Sequence, residues 1–265
     1  SWPTPPAAPA LAWCAPSSPA TSPLRTPSSS RCALLASAPT PSTAPPPFTA
    51  EELDSLTAPI VLYPDALLSQ ILMASTYPLE VVSAARWVKA NPDIKGDAAL
   101  KKVENETWDV SVKSLAAFPS ILDMMNEKLD WTQKLGDAFL AQQKDVLASV
   151  QRLRQLAKNN GNLESNQQQV VRSEAQAIVI EPAQPQTVYV PAYNPTVVYG
   201  TWPYPAYPPY YYPPSPYYYP GAALATGFAW GLGIAAGAAL IGGANWGGGD
   251  VTINANRAAN IDRNY

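Results

Sequence analysis

The chain reads as a mainly α protein. A proline-punctuated helical domain is followed by a small C-terminal β-hairpin element, with a disordered head before it and a low-complexity tail after it. Three observations point there. Of 30 prolines, 13 fall in residues 1–47 and 12 in residues 182–220, which leaves the middle nearly free of them. Charge is distributed the opposite way: residues 48–175 hold 13 of 17 Lys/Arg and 17 of 20 Asp/Glu, the interspersed charge of a folded surface. Apolar residues in that middle recur at three- and four-residue steps, the period of a helix with one buried face. The divisions that follow are a Pro/Ser/Ala-rich head (1–47), a helical domain (48–162), a small β element (163–200), a Tyr/Pro-rich spacer (201–220), a Gly/Ala-rich apolar segment (221–249) and an Asn-rich tail (250–265).

The head offers little to fold. Its two cysteines, Cys14 and Cys32, could pair in an oxidising compartment, and Trp13 directly before Cys14 argues against lipid attachment there. Arg31–Ala38, RCALLASA, has the basic start and small-x-small end of an export signal, with an apolar run too short for one. The head is therefore read as disorder and kept apart from the fold.

Helix signals begin at Thr49, where TAEE makes a capping box with Glu52, and Pro59 ends that helix. In YPDALLSQILMAS, Pro64 opens a second helix with Leu67, Leu68, Ile71 and Leu72 on one face. Pro78 opens a third, which Asn91-Pro92 closes. Asp97 is placed to cap a short helix through Val103, and Asp109 another that ends at Phe118-Pro119. The longest periodic run is Asp130–Asn160, with Gly161 as its stop and Arg152, Arg154 and Lys158 complementing the helix dipole. LYPDALLSQIL and AFPSILDMMNEKL share an aromatic–proline start, a hint of internal duplication.

After Asn162 the pattern changes. Ala177–Ile180, Thr187–Val190 and Thr196–Tyr199 are β-branched or aromatic runs, and Pro191 and Pro195 confine them to an edge or a short hairpin. Tyr204–Pro220 is polyproline-like, a semi-rigid spacer or a sticky aromatic ribbon. From Pro182 to Gly249 there is no charged residue. Within that stretch Ala222–Ala244 is long enough to cross a ~30 Å hydrocarbon layer as a helix. Gly227, Gly231, Gly233 and Gly237 have small-xxx-small spacing, and Trp230 and Trp246 could sit at an interface. Those six residues are the candidates for membrane insertion or self-association; a glycine-rich low-complexity tail and a helix packed on the domain stay open. Arg257 and Arg263 would place the helical domain on the far side from the cytoplasm. Tyr189, Tyr193, Tyr199 and Trp202 are the candidates for an aromatic binding surface; Tyr63, Tyr77, Trp87, Trp108, Phe118 and Trp131 of the helical domain read as core and staple packing, with a surface that stacks on glycan or peptide as the alternative.

Composition removes whole classes of chemistry. Net charge is −3, with no basic stripe, so no nucleic-acid partner is expected. Histidine is absent, which excludes Ser-His-Asp triads, HExxH zinc sites and imidazole bases. No phosphate-cradling glycine loop is present. The acids Asp65, Glu80, Asp109, Asp123, Glu127 and Asp130 each have a simpler task as helix cap, first-turn charge or solvated face. No catalytic residue, cofactor or metal is therefore assigned.

Three strings carry a family resemblance: APIVLYPDALLSQILMASTYPLEVVSAARWVKANP, AFPSILDMMNEKLDWTQKLGDAFLAQQKDVLASVQRLR and AIVIEPAQPQTVYVPAYNPTVVYG. Together they resemble the bacterial domain-of-unknown-function 3300 family across Leu53–Tyr199, with the Tyr/Pro and Gly/Ala segments following in order. The resemblance implies an exported envelope protein, since members usually begin with a signal peptide, and it carries no activity or catalytic residue. The expected role is a non-catalytic envelope protein that anchors or scaffolds through its Gly/Ala tail and binds through aromatic surfaces. Its partners would be a membrane or envelope component, or itself. The alternatives are a carboxylate-dependent enzyme on cell-wall glycan or peptide, and a soluble secreted adhesin-like protein.

Overall fold

Helix α1 (Ala50–Thr57) starts where TAEE places it. The Glu52 carboxylate accepts from the Thr49 N–H at 2.8 Å, and Thr49 Oγ1 accepts from the Glu52 N–H at 3.3 Å. In this computed structural model residues 47–174, 177–219, 228–240 and 242–253 are described. All belong to the second of the two units, Ser1–Ala44 and Pro45–Tyr265, into which the chain divides. The expectations for the head, its cysteines and RCALLASA lie outside the described residues, as do Gly227, Arg257, Arg263 and the Asn-rich residues 254–265.

Proline sets most of the later helix starts. Pro64 caps α2 (Asp65–Ala74), which thus starts one residue later than expected, while Pro78 and Pro119 open α3 (Pro78–Ala90) and α6 (Pro119–Glu127). Between them α4 (Asp97–Val103) is capped by Gly96 at φ +61°, so Asp97 lies inside the helix rather than at its cap. The cap of α5 (Val110–Leu115) is as expected: Asp109 accepts from the Ser111 N–H at 2.9 Å. The long run folds as α7 (Leu129–Asn159), which kinks at Gln142 (φ −142°, ψ 49°). At the kink the Gln142 amide clasps the backbone of Phe48, accepting from its N–H at 2.8 Å and donating to its carbonyl at 3.2 Å. Gly161, at φ +70°, follows the helix as its stop.

One core joins these helices, and its largest member is Trp131, 1% exposed, whose indole N–H donates to the Leu56 carbonyl at 2.9 Å. α7 crosses the end of α2 so closely that a Cβ on Gly136 would strike the Ser75 carbonyl.

The β element differs from expectation in two places. A hairpin forms from β1 (Gln169–Glu174) and β2 (Ala177–Pro182), in antiparallel register; the polar start of β1 hides it in the sequence. After β3 (Thr187–Val188) and β4 (Pro191–Tyr193), the expected strand 196–199 is instead the short helix α8 (Pro195–Val198). Asn194 caps it, accepting from the Thr196 N–H at 3.1 Å, and Pro195 supplies a first helical residue. Local capping outweighs β propensity here.

The Tyr/Pro stretch lies on the helices instead of standing off as a spacer. Ser55 Oγ donates to the Pro208 carbonyl at 2.6 Å, and Tyr212 packs edge-on against Trp131 at 5.4 Å. The Gly/Ala segment follows it down. β5 (Phe228–Trp230) pairs with β4, β6 (Ile234–Ala235) pairs with β3, and the hairpin β7 (Gly242–Asn245)–β8 (Asp250–Ile253) packs against α2. Where described, the run expected as a spanning helix is thus strand and turn. Among the described residues no helix is long and apolar enough to cross a membrane. The physical reason is that each interior glycine costs a helix ~1 kcal/mol relative to alanine, whereas here a bare backbone lies flat against neighbours.

Candidate binding groove

Helix α6 sends Ser120, Asp123 and Glu127 along one side at three- and four-residue steps. Opposite them the chain returns in the turn at Tyr217–Tyr219, where the Tyr218 and Tyr219 amides both donate to the Ser215 carbonyl at 3.0 Å. The end of β3 through β4, and the tail residues Gly231–Ala235, supply further walls. Three cavities of about 320, 230 and 280 Å3 lie among these elements, and Tyr218 lines all three.

Polar groups in the groove are few and mostly paired. Asp123 accepts from the Tyr218 hydroxyl at 2.7 Å and pairs with Lys89 Nζ at 3.5 Å. Lys95 Nζ sits 5.2 Å above the Tyr217 ring centre, a cation–π contact. Glu127 and Lys128 are exposed members of the 280 Å3 cavity. The phenols are held neutral. Burial pushes Tyr63, Tyr193 and Tyr212 well up, and Tyr218 likewise, with Asp123 adding to the effect. Tyr219 is pushed up to about 12, again by burial, against a hydrogen bond with Ser120 that lowers it. The groove therefore presents phenol hydroxyls and ring faces at any physiological pH.

The candidates named from sequence scatter around this site. Gly231 and Gly233 line the 320 Å3 cavity, and their missing side chains make room for the rings of Tyr219 and Tyr189. Gly237 lets the tail lie against Pro185 and Gln186. Trp230 is half-buried, paired with Pro191 in the β4–β5 ladder. Trp246 stacks over the buried Arg154 guanidinium at 5.0 Å and donates to Asp65 at 2.8 Å.

Of the aromatic candidates, Tyr193 and Tyr199 belong to the core, with Tyr199 0% exposed. Both hydroxyls donate to the Ala58 carbonyl, at 2.8 and 2.7 Å. Tyr193 also borders the 280 Å3 cavity. Half-buried Tyr189 lies beside Gly233, and Trp202 leans on the Tyr199 ring at 6.0 Å. The four therefore form no common open surface. The groove's own residues, Tyr217–Tyr219 with Asp123, were visible in the sequence only as a tyrosine cluster and one acid among many.

A wider hollow of about 510 Å3 lies between α1, Lys134 and Ala206–Tyr211. Its walls are occupied by the chain's own bonds, Ser55 to Pro208 and the Tyr210 N–H to the Ser55 carbonyl at 3.4 Å. Among the described residues no three acids or cysteines gather to hold a metal ion.

The family described as "Protein of unknown function (DUF3300)" matches residues 49–265. A similar curated protein is "Uncharacterized protein YacH" of Escherichia coli (strain K12), 42% identical over 239 residues, which are 78% of this chain and 39% of that protein. The chain thus spans about two fifths of the relative's length. No solved structure matches it.

Proposed function

The chain belongs to the bacterial DUF3300 family, and from its groove we infer that it is a non-catalytic protein of the cell envelope that holds an extended envelope ligand over α6. The observation that carries this reading is the run of three cavities sharing Tyr218 as a wall, lined chiefly by tyrosine, proline and tail backbone. Rigid aromatic rings give large contact area at small entropic cost, and a few placed polar groups set orientation. The uncharged stretch Pro182–Gly249 supports a binding role, because it builds two walls of the groove. Anchoring then comes through ligand capture, with the Gly/Ala strands as part of the capturing surface.

Fractionation of a Gram-negative host expressing the full chain, with carbonate and detergent washes, tests this. Wild-type protein is expected in the envelope fraction, and the Tyr217→Ala/Tyr218→Ala variant is expected to shift to the soluble fraction while staying folded. Identical partitioning of both would refute binding through the groove, and release of both into the medium would favour the adhesin-like alternative.

One observation favours a second reading. Asp123 and Glu127 border the same cavity one helical turn apart, as a carboxylate-dependent enzyme on wall glycan or peptide would need. Release of soluble fragments from purified cell wall, abolished by either Asp123→Asn or Glu127→Gln, would establish it. The Lys89 and Tyr218 partners of Asp123 weigh against it, since they hold that carboxylate as an acceptor.

A further inference from the structure

Two residues that border the 280 Å3 cavity each carry a polar atom with no hydrogen-bond partner in the protein. Asp123 Oδ1 and the Tyr212 hydroxyl are both buried without a hydrogen-bond partner. Lys89 stands 3.5 Å from Asp123 Oδ1, an ion-pair distance too long for a good hydrogen bond. A buried polar atom left without a hydrogen bond is costly, and two beside one cavity mark a place where a ligand restores what folding removed. Both atoms are shielded from water as the rings stand, so pairing them with a ligand requires the surrounding tyrosine rings to move.

We propose that this cavity binds a pyranose ring of a neutral glycan, one ring hydroxyl donating to Asp123 Oδ1 and a neighbouring hydroxyl pairing with the Tyr212 phenol. The proposal rests on the groove being the ligand site and names the chemistry it takes. Three features select a sugar. Charge is the first: Asp123 is offset by Lys89, and Glu127 by Lys128 on the rim, so the cavity shows no net demand for a cation or an anion. The second is donor count. Asp123 Oδ1 needs an N–H or O–H, and a proline-rich peptide has few N–H groups to give, whereas adjacent sugar hydroxyls both donate and accept. The third is shape. Tyr63, Tyr193, Tyr212, Tyr218 and Tyr219 all border the cavity, and flat phenol rings suit the apolar C–H faces of a pyranose. Cavities repeated along α6 then suit successive units of a linear chain.

The test is calorimetric titration of the full chain with maltotetraose, cellotetraose and tetra-N-acetylchitotetraose, and with decaproline as the peptide probe. At least one oligosaccharide is expected to bind. Asp123→Asn and Tyr212→Phe, each keeping the shape of its side chain, should each weaken that binding at least tenfold, with thermal melting showing that the variants fold. Binding of decaproline alone, weakened by the same variants, overturns the sugar assignment and leaves the groove reading standing. So does failure of all four probes while the Tyr217→Ala/Tyr218→Ala variant still leaves the envelope fraction. Oligosaccharide binding that Asp123→Asn and Tyr212→Phe leave unchanged overturns the placement in this cavity.

Discussion

Arg154 is 0% exposed, and it survives burial because every direction around it is answered. It donates to Asp65 at 2.6 Å and to the carbonyls of Ile178, Val61 and Tyr63 at 2.7, 2.9 and 3.1 Å. Asp65 also accepts from the Ile180 N–H at 3.2 Å and from the Trp246 indole, whose ring covers the guanidinium. One ion pair therefore ties α2, α7, β2 and the β7–β8 turn together. Removing one partner of a buried pair costs roughly 3–5 kcal/mol, while replacing both by apolar groups of similar volume is often close to neutral. Asp65→Asn should lower the unfolding free energy from urea titration by that larger amount, and Asp65→Leu/Arg154→Met should recover only part of it, because the Trp246 indole and the Val61, Tyr63 and Ile178 carbonyls lose these partners. Trp246→Phe should cost less, about 1–3 kcal/mol for the acceptor left unpaired. If Trp246→Phe leaves the midpoint unchanged, the hairpin is not fastened through this contact.

At the scale of elements, the helices were legible because their starts are written in short-range chemistry. Thr49–Glu52, Pro78, Asp109 and Pro119 each act within one helical turn. The groove was not legible, because its walls come from segments that meet only in space, and a tyrosine shows no sign in sequence of which way it faces. Tyr193 illustrates this. Pro59 interrupts the chain after α1, and the Leu62 N–H, which would reach Ala58 in a continuing helix, donates to the Tyr193 hydroxyl at 3.3 Å instead. That hydroxyl in turn donates to Ala58 at 2.8 Å, so a distant phenol completes a broken helical bond. The glycines were ambiguous for a related reason: small residues permit close approach in lipid and in a protein core alike. Within α7, Gly136→Ala should cost about 1–3 kcal/mol by forcing α7 away from the Ser75 carbonyl. Gly243→Ala, with open space around it, should stay within about 0.5 kcal/mol. Equal effects of the two substitutions on thermal melting would contradict this packing of α7 on α2.

Across the whole molecule, tyrosine is what brings the C-terminal half onto the helices. Residues 182–220 hold 11 of the 14 tyrosines, and burial raises Tyr193, Tyr199, Tyr212, Tyr218 and Tyr219 of that stretch above the ordinary phenol range, together with Tyr63 of the helical domain. The consequence for pH follows from linkage. Below pH ~10 folded and unfolded chains both keep these protons, so the stability from docked phenols is fully present. Above it the unfolded chain releases protons first, and stability is lost as pH climbs through the folded values. For Tyr219, raised to about 12, that loss amounts to roughly 2–3 kcal/mol, and the more deeply shifted phenols add to it. Alkaline titration should therefore show phenolate absorbance rising in two steps. The first is reversible and leaves the far-ultraviolet circular dichroism intact; the second is steep and coincides with its collapse. Replacing Tyr219 by Phe removes one of the buried ionisations and should move the second step to higher pH, provided the fold is kept. A single smooth rise of phenolate signal centred near pH ~10, with helicity unchanged, would mean that the tyrosines are solvated and that the Tyr/Pro ribbon does not close over α6.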